Sequence, residues 1–235
     1  MAVPPVLIEA VNTARGSHRR HDAALPRTGG PAGNARLTAW LGLTLLVLIL
    51  AELLTLINVT GLITWHLAIW LLLIPPSLAK TAATSWRILR YYTRHAHYTQ
   101  AGPPPLLLRI LGPLVVLATL AVLGSGALLI GLGPSATFRP WFTVLNHDIS
   151  PLTLHQVSFI FWAVTTGLHV LARTIPAVHT AILEPRNQPP LAGRWTRALT
   201  IALAASTAAA LMFLVLDLST AWTQGDIRGK QDASH

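Results

Sequence analysis

The chain has no cysteine. Disulfides, iron–sulfur clusters and thiolate ligation of haem are therefore excluded, and any metal chemistry falls to the ten histidines. Charge is scarce too: 11% of the 235 residues are Asp, Glu, Lys or Arg, against 52% hydrophobic. A soluble domain is usually about a quarter charged, so a mean hydropathy of +0.54 reads as a membrane protein. No Walker, Rossmann, zincin or serine-hydrolase motif is present.

What is present is five apolar stretches, each long enough to cross a hydrocarbon core, which takes about 20 helical residues. They run over 37–59, 62–84, 106–132, 152–175 and 198–218. The expected fold is an all-α integral membrane protein, a bundle of five transmembrane helices over 36–218. Only a Thr60-Gly61 turn separates the first two spans, which makes them an antiparallel hairpin. The fifth carries Ala204, Ala205, Ser206, Ala208, Ala209 and Ala210, small residues that let helices approach closely. Residues 1–35, rich in Ala, Pro, Gly and Arg, suit a disordered cytoplasmic arm. Arg19-Arg20 there is no export signal, because the apolar segment beyond it is distant, too long and without a small-residue cleavage site. Residues 219–235 read as a short polar extracytoplasmic tail.

Orientation follows from the basic residues. The arm holds Arg15, Arg19, Arg20, Arg27 and Arg36; the second connection holds Arg87, Arg90, Arg94 and Arg109; the fourth holds Arg173, Arg186, Arg194 and Arg197. The remaining loops and the tail contribute Arg139, Arg228 and Lys230. By the positive-inside rule the N-terminus is cytoplasmic and the C-terminus outside, in the cell's inner (cytoplasmic) membrane. The net charge of +9 is thus mainly a topology signal and a poor sign of nucleic-acid binding.

Histidine gives the bundle a chemistry. His155 and His169 lie fourteen residues apart on the fourth span, LHQVSFIFWAVTTGLHVLAR. That is almost four turns, so both rings leave one helix face, roughly 21 Å apart along the axis. His66 on the second span runs the same way at the depth of His155, and two imidazoles at one level can clamp an iron. Fourteen residues after His66 stands Lys80 in place of a fourth histidine. Gly112 and Gly126 on the third span repeat the spacing; a macrocycle lying against the backbone would explain them, as would the general frequency of glycine in membrane helices.

Two histidines fourteen apart on each of two helices is the pattern of di-haem cytochrome b cores of quinol oxidoreductases. The chain resembles that family, together with cytochrome b561 and ferric-reductase-like membrane subunits of actinobacterial type. The resemblance rests on HLAIWLLLIPPSLAKTAATSWRILRYY, GPPPLLLRILGPLVVLATLAVLGSGALLI and LHQVSFIFWAVTTGLHV, from His66 to His169 and less than half of the chain. It implies haem b bound by His66, His155 and His169, one haem or two. Lys80 is the departure from the pattern.

Lys80 has three readings: an ammonium snorkelling to the interface, a partner for a haem propionate, or a neutral amine on iron. Pro75-Pro76 above it removes two helical donors and is expected to kink the span. Arg173 with its cytoplasmic-side neighbours suits the propionates of an inner haem, and Arg139 those of an outer one. Tyr91, Tyr92, Trp86, Trp141 and Trp222 fit an aromatic belt. His147, beside Asp148, is a weak metal or hydrogen-bonding site, while His18, His21, His95, His97, His179 and His235 read as solvated. The function expected is electron transfer by a bis-histidine haem b in a membrane oxidoreductase. Its partners would be an extracytoplasmic oxidoreductase or electron carrier, and membrane quinone. The alternative is a haem-free assembly or transport subunit whose histidines are interhelical hydrogen bonders.

Overall fold

The computed structural model describes residues 5–17, 22–100, 102, 106–182 and 191–232. The chain forms α1 (Pro5–Ala14), α2 (Gly30–Thr55) with a 3-10 turn at Leu56–Asn58, α3 (Ile63–Tyr92) and α4 (Ala96–Thr99). There follow α5 (Leu106–Leu132), α6 (Pro134–Thr137), a hairpin of β1 (Phe142–Val144) and β2 (His147–Ile149), α7 (Pro151–Ile182) and α8 (Arg194–Asp232). The helices α2, α3, α5, α7 and α8 are long and apolar enough to cross a bilayer. The protein is all-α, with the composition of a multi-pass membrane protein.

The outer faces agree with that reading. On α7, Val157, Ile160, Val164, Leu168 and Leu171 recur at helical spacing and are exposed, Leu171 to 73%. Val47, Leu50 and Leu54 on α2, and Leu199 and Leu203 on α8, form equivalent stripes. In water such stripes would be a liability; against lipid they bury nothing unfavourable, because every backbone donor in a helix is already satisfied.

Helix pairing sets the interior. The helix α3 packs between α2 and α8, α7 packs on α2 and α5, and α1 lies against α7. α3 and α5 meet only sparsely, which leaves a gap along the bundle axis. The α2–α3 turn is closed by Asn58, whose Oδ1 accepts the Gly61 N–H at 3.1 Å and the Thr60 hydroxyl at 3.2 Å. The packed core is small: Leu67, Trp70 and Leu71 of α3, met by Leu123 and Ile130 of α5 and by Leu211 and Trp222 of α8. Trp222, expected in an interfacial belt, is part of this core.

The opposite end is rich in arginine and is tied together by polar bonds. Arg36 donates to the Ala181 carbonyl at 3.1 Å, Asn34 to the Ala83 carbonyl at 2.9 Å, and Arg87 pairs with Asp22.

Several boundaries differ from the sequence expectation. The arm assigned to 1–35 contains α1, and α2 begins at Gly30 with a proline in its first turn, where the missing N–H costs nothing. α8 continues as helix to Asp232, through most of the residues read as a polar tail. The segment between α6 and α7, read as loop, pairs as β1 and β2 around Leu145 and Asn146, both at positive φ (49° and 61°), the geometry of a two-residue hairpin turn. Pro75 and Pro76 are buried inside α3, which remains helical through them.

Candidate functional site

The gap between α3 and α5 opens into a cavity of about 2160 Å³ running along the bundle. Pockets for drug-sized ligands hold roughly 300–1,000 Å³, so this one has room for a large flat ligand or for more than one. Most of its wall is apolar, from residues such as Leu45, Ile49, Leu73, Val116 and Phe159. Polar residues border it along its length, and two groups of them contain the histidines expected as ligands.

Towards the hairpin end, His66 of α3 and His155 of α7 both line the cavity, within electrostatic range of each other. Both residues of the pair expected from matched depth thus border the one cavity. Each ring is held by one nitrogen. Thr55, the last residue of α2, donates its hydroxyl to the Glu52 carbonyl at 2.6 Å, so it has no proton left for the imidazole. His66 Nδ1, 3.1 Å from that oxygen and 3.0 Å from Glu52 Oε1, must therefore be the donor. His155 repeats the arrangement on another pair of helices. Ser125 of α5 donates to the Val122 carbonyl at 3.1 Å, and His155 Nδ1 lies 3.0 Å from its oxygen. In both residues Nδ1 is the nitrogen engaged by the neighbouring helix, and a proton there would leave the Nε2 lone pair for a metal, as in a ligating histidine oriented by a second hydrogen bond.

Deeper along the cavity stand Lys80, His169 and Arg173, mutually within electrostatic range. Lys80 Nζ lies 3.1 Å from where a Cβ on Gly42 of α2 would be. The ammonium is therefore turned into the bundle, and of the three readings of Lys80, snorkelling to the interface is the one this geometry speaks against. His169 Nδ1 and Thr166 Oγ1, one turn apart on α7, are both buried without a hydrogen-bond partner.

The remaining expectations separate. Gly112 lines the cavity and has nothing within 4 Å of the position a Cβ would take. Gly126 is close to something, but to Trp70: an added Cβ would stand 2.8 Å from its Nε1. That indole is reason enough for the glycine, and its N–H is buried without a partner. Arg139 is exposed in the connection before β1 and lies outside the cavity lining. His147 Nδ1 bonds the Leu145 carbonyl and Asp148 accepts the Thr143 hydroxyl, so both serve the hairpin. His95, read as solvated, has a buried Nδ1 and packs edge-on against Tyr98. His18, His21 and His235 lie outside the described residues.

Sequence reasoning overlooked the residues that orient the rings. Glu52 carried a signal of its own, as a carboxylate inside an apolar span, where an ionisable group is a functional candidate. Thr55 and Ser125 carried none, since small hydroxyls are common in membrane helices. Among the described residues no three His, Asp or Glu side chains converge to hold a bare metal ion. Compared with protein-family models, curated proteins and solved structures, the chain matches none.

Proposed function

We propose that the chain is a membrane-embedded b-type cytochrome that binds haem between His66 and His155 and passes electrons within or across the bilayer. One observation carries this reading: the two imidazoles, on helices spaced apart along one large cavity, both have Nδ1 engaged by a neighbouring helix, which leaves Nε2 as the nitrogen for a ligand. Two imidazoles without a third protein donor would suit a haem iron, to which the macrocycle brings its own nitrogens, and poorly suit a bare ion, which takes four or more ligands. The open space at Gly112 and the apolar wall are compatible with a flat hydrophobic group.

If bound, haem b would supply a one-electron iron couple, and His66 and His155 as its imidazole ligands would favour electron transfer over oxygen chemistry. The protein does the rest. Ser125 and Thr55 orient the rings through Nδ1, Glu52 adds a negative charge behind His66, and most of the surrounding wall is apolar. The arginine-rich end supports a cytoplasmic placement of that face by the positive-inside rule, with the hairpin end outside. An extracytoplasmic electron carrier and membrane quinone are the partners that fit this orientation.

The same hydrogen bonds tie α2 to α3 and α5 to α7, and in a haem-free subunit they would be packing contacts alone. A pyridine haemochrome spectrum of the purified protein separates the readings. Haem b should be present, and His66→Ala or His155→Ala should each abolish its low-spin signal. Purified protein without haem, or wild-type spectra in both variants, would refute the assignment.

A further inference from the structure

The cavity changes character along its length. On α3 the residues that border it from the hairpin end to Leu73 are apolar apart from His66, whereas beyond Leu73 they are Ser77, Lys80, Thr81, Thr84 and Ser85. A hydroxyl in a membrane helix ordinarily bonds a carbonyl one turn before it, as those of Thr38, Thr174 and Thr180 do here. Among the described residues, Ser77, Thr81, Thr84 and Ser85 make neither that bond nor any other through their side chains. Lys80 Nζ, turned inward at Gly42, stands in the same row.

The facing wall repeats the pattern. On α7, Thr166 Oγ1 and His169 Nδ1 border the cavity and are buried without partners, Thr166 at 8% exposure. The two helices run in the same direction, since His66 faces His155 and Lys80 faces His169. Ser77 and Thr166 each stand eleven residues after a histidine of the outer pair, and so at one depth, near the middle of α3. The carboxylates that border the cavity lie towards its ends: Glu9 and Asp22 at the arginine-rich rim, Asp22 paired with Arg87, and Glu52 beside His66.

Buried polar groups are satisfied by protein or by ordered water with few exceptions, and polar side chains within a membrane bundle face its interior or a water-filled space. The row from Ser77 to Ser85 extends about 12 Å along α3 at 1.5 Å per residue. One polar head on a lipophilic ligand reaches two or three of these groups, while a column of water reaches all of them. The rim where the column would begin includes Glu9, which is exposed. Its other end meets Leu73 of α3, Leu45 and Ile49 of α2 and Phe159 of α7, an apolar level that water does not wet.

We infer that the arginine-rich half of the cavity is an aqueous half-channel, which admits water from that face as far as Ser77 and Thr166 and is closed beyond them by the apolar level of Leu73. It hydrates Lys80 and brings water, with the protons water carries, from one face to the middle of the bundle. The inference stands without the haem assignment.

A chain without native cysteine allows a direct test by single-cysteine accessibility. Thr84→Cys, Thr81→Cys and Ser77→Cys, each in the purified full chain in lipid nanodiscs, are treated with a cationic and an anionic membrane-impermeant methanethiosulfonate, and the faster rate is taken. All three should react within about tenfold of Thr93→Cys, just beyond α3, because the thiolate is the reacting form and water sustains it. Leu73→Cys, one turn past Ser77, should react about a hundredfold or more slowly, as should Leu78→Cys, next to Ser77 but 53% exposed and outside the cavity lining. Rates at Thr81→Cys and Ser77→Cys as slow as at Leu78→Cys overturn the inference and mean that lipid or another ligand fills the space. A Leu73→Cys as fast as Ser77→Cys overturns it too, because the path would then have no closed end. Should Ser77→Cys fail to fold, Thr166→Cys reads the same depth from α7.

Discussion

Glu52→Gln is the sharpest probe of how α2 acts on the proposed haem ligand, because the amide occupies nearly the same space and still offers an oxygen to His66 Nδ1. In the wild type that nitrogen faces Glu52 Oε1 at 3.0 Å with both side chains largely shielded, at 17% and 13% exposure. A hydrogen bond to a charged group is worth about 1.5–3 kcal/mol net and a neutral one about 0.5–1.5. The substitution therefore removes roughly 1–1.5 kcal/mol of interaction. The carboxylate strengthens the bond most when the imidazole carries partial positive charge, as it does on ferric iron, so the loss falls mainly on the oxidised state. For one electron a tenfold change in equilibrium constant is about 59 mV, and the midpoint potential should rise by about 40–60 mV. Haem content should stay near the wild-type value, since Nε2 is untouched and Thr55 still receives the Nδ1 proton. Spectroelectrochemical titration of the purified protein reads both quantities. A potential that stays put or falls while haem is retained would refute the tuning role of Glu52, and loss of haem from this variant would show that Glu52 holds the site by other means.

Gly126→Ala should destabilise the bundle by about 1–3 kcal/mol, because its Cβ would stand 2.8 Å from a buried indole that has little freedom to move; an unchanged thermal unfolding curve would count against the Trp70 packing. Gly112→Ala meets nothing and should leave unfolding unaltered, so a fall in haem content there without a fall in stability would place the macrocycle against α5. Reporter fusions at the two termini should give opposite signals, as five crossings require; matching signals would undo the common direction of α3 and α7 on which the pairing of His66 with His155 depends.

How much of this was legible in the sequence depends on whether a property belongs to a segment or to a contact. The five spans were legible because hydropathy is averaged over about 20 residues and survives local irregularity. Their ends were not. In α3 the run from Ser85 to Tyr92 is polar and aromatic, which marks the end of the hydrocarbon but gives a helix no reason to stop, and it continues to Tyr92. The β1–β2 hairpin turns on Leu145 at positive φ, a conformation Leu rarely adopts and that no local signal announces.

The same distinction governs the cavity. Depth along a helix is arithmetic, so the shared level of His66 and His155 could be counted from the turns. The direction of a long side chain is not. Lys80 has a four-carbon stem that reaches either the interface or the bundle interior from the same backbone. What decides between them is Gly42, a residue on another helix whose missing side chain leaves room for the ammonium. Gly126 and Trp70 are related in the same way, one side chain occupying the space another residue lacks. Each glycine read alone is ambiguous between a ligand contact and ordinary membrane-helix packing. Paired with the side chain that fills it, Gly126 becomes a packing position and Gly42 the reason a lysine faces inward. The functional content of this bundle therefore lies less in its histidines taken singly than in which vacancies on neighbouring helices turn Lys80 and Trp70 towards the same cavity.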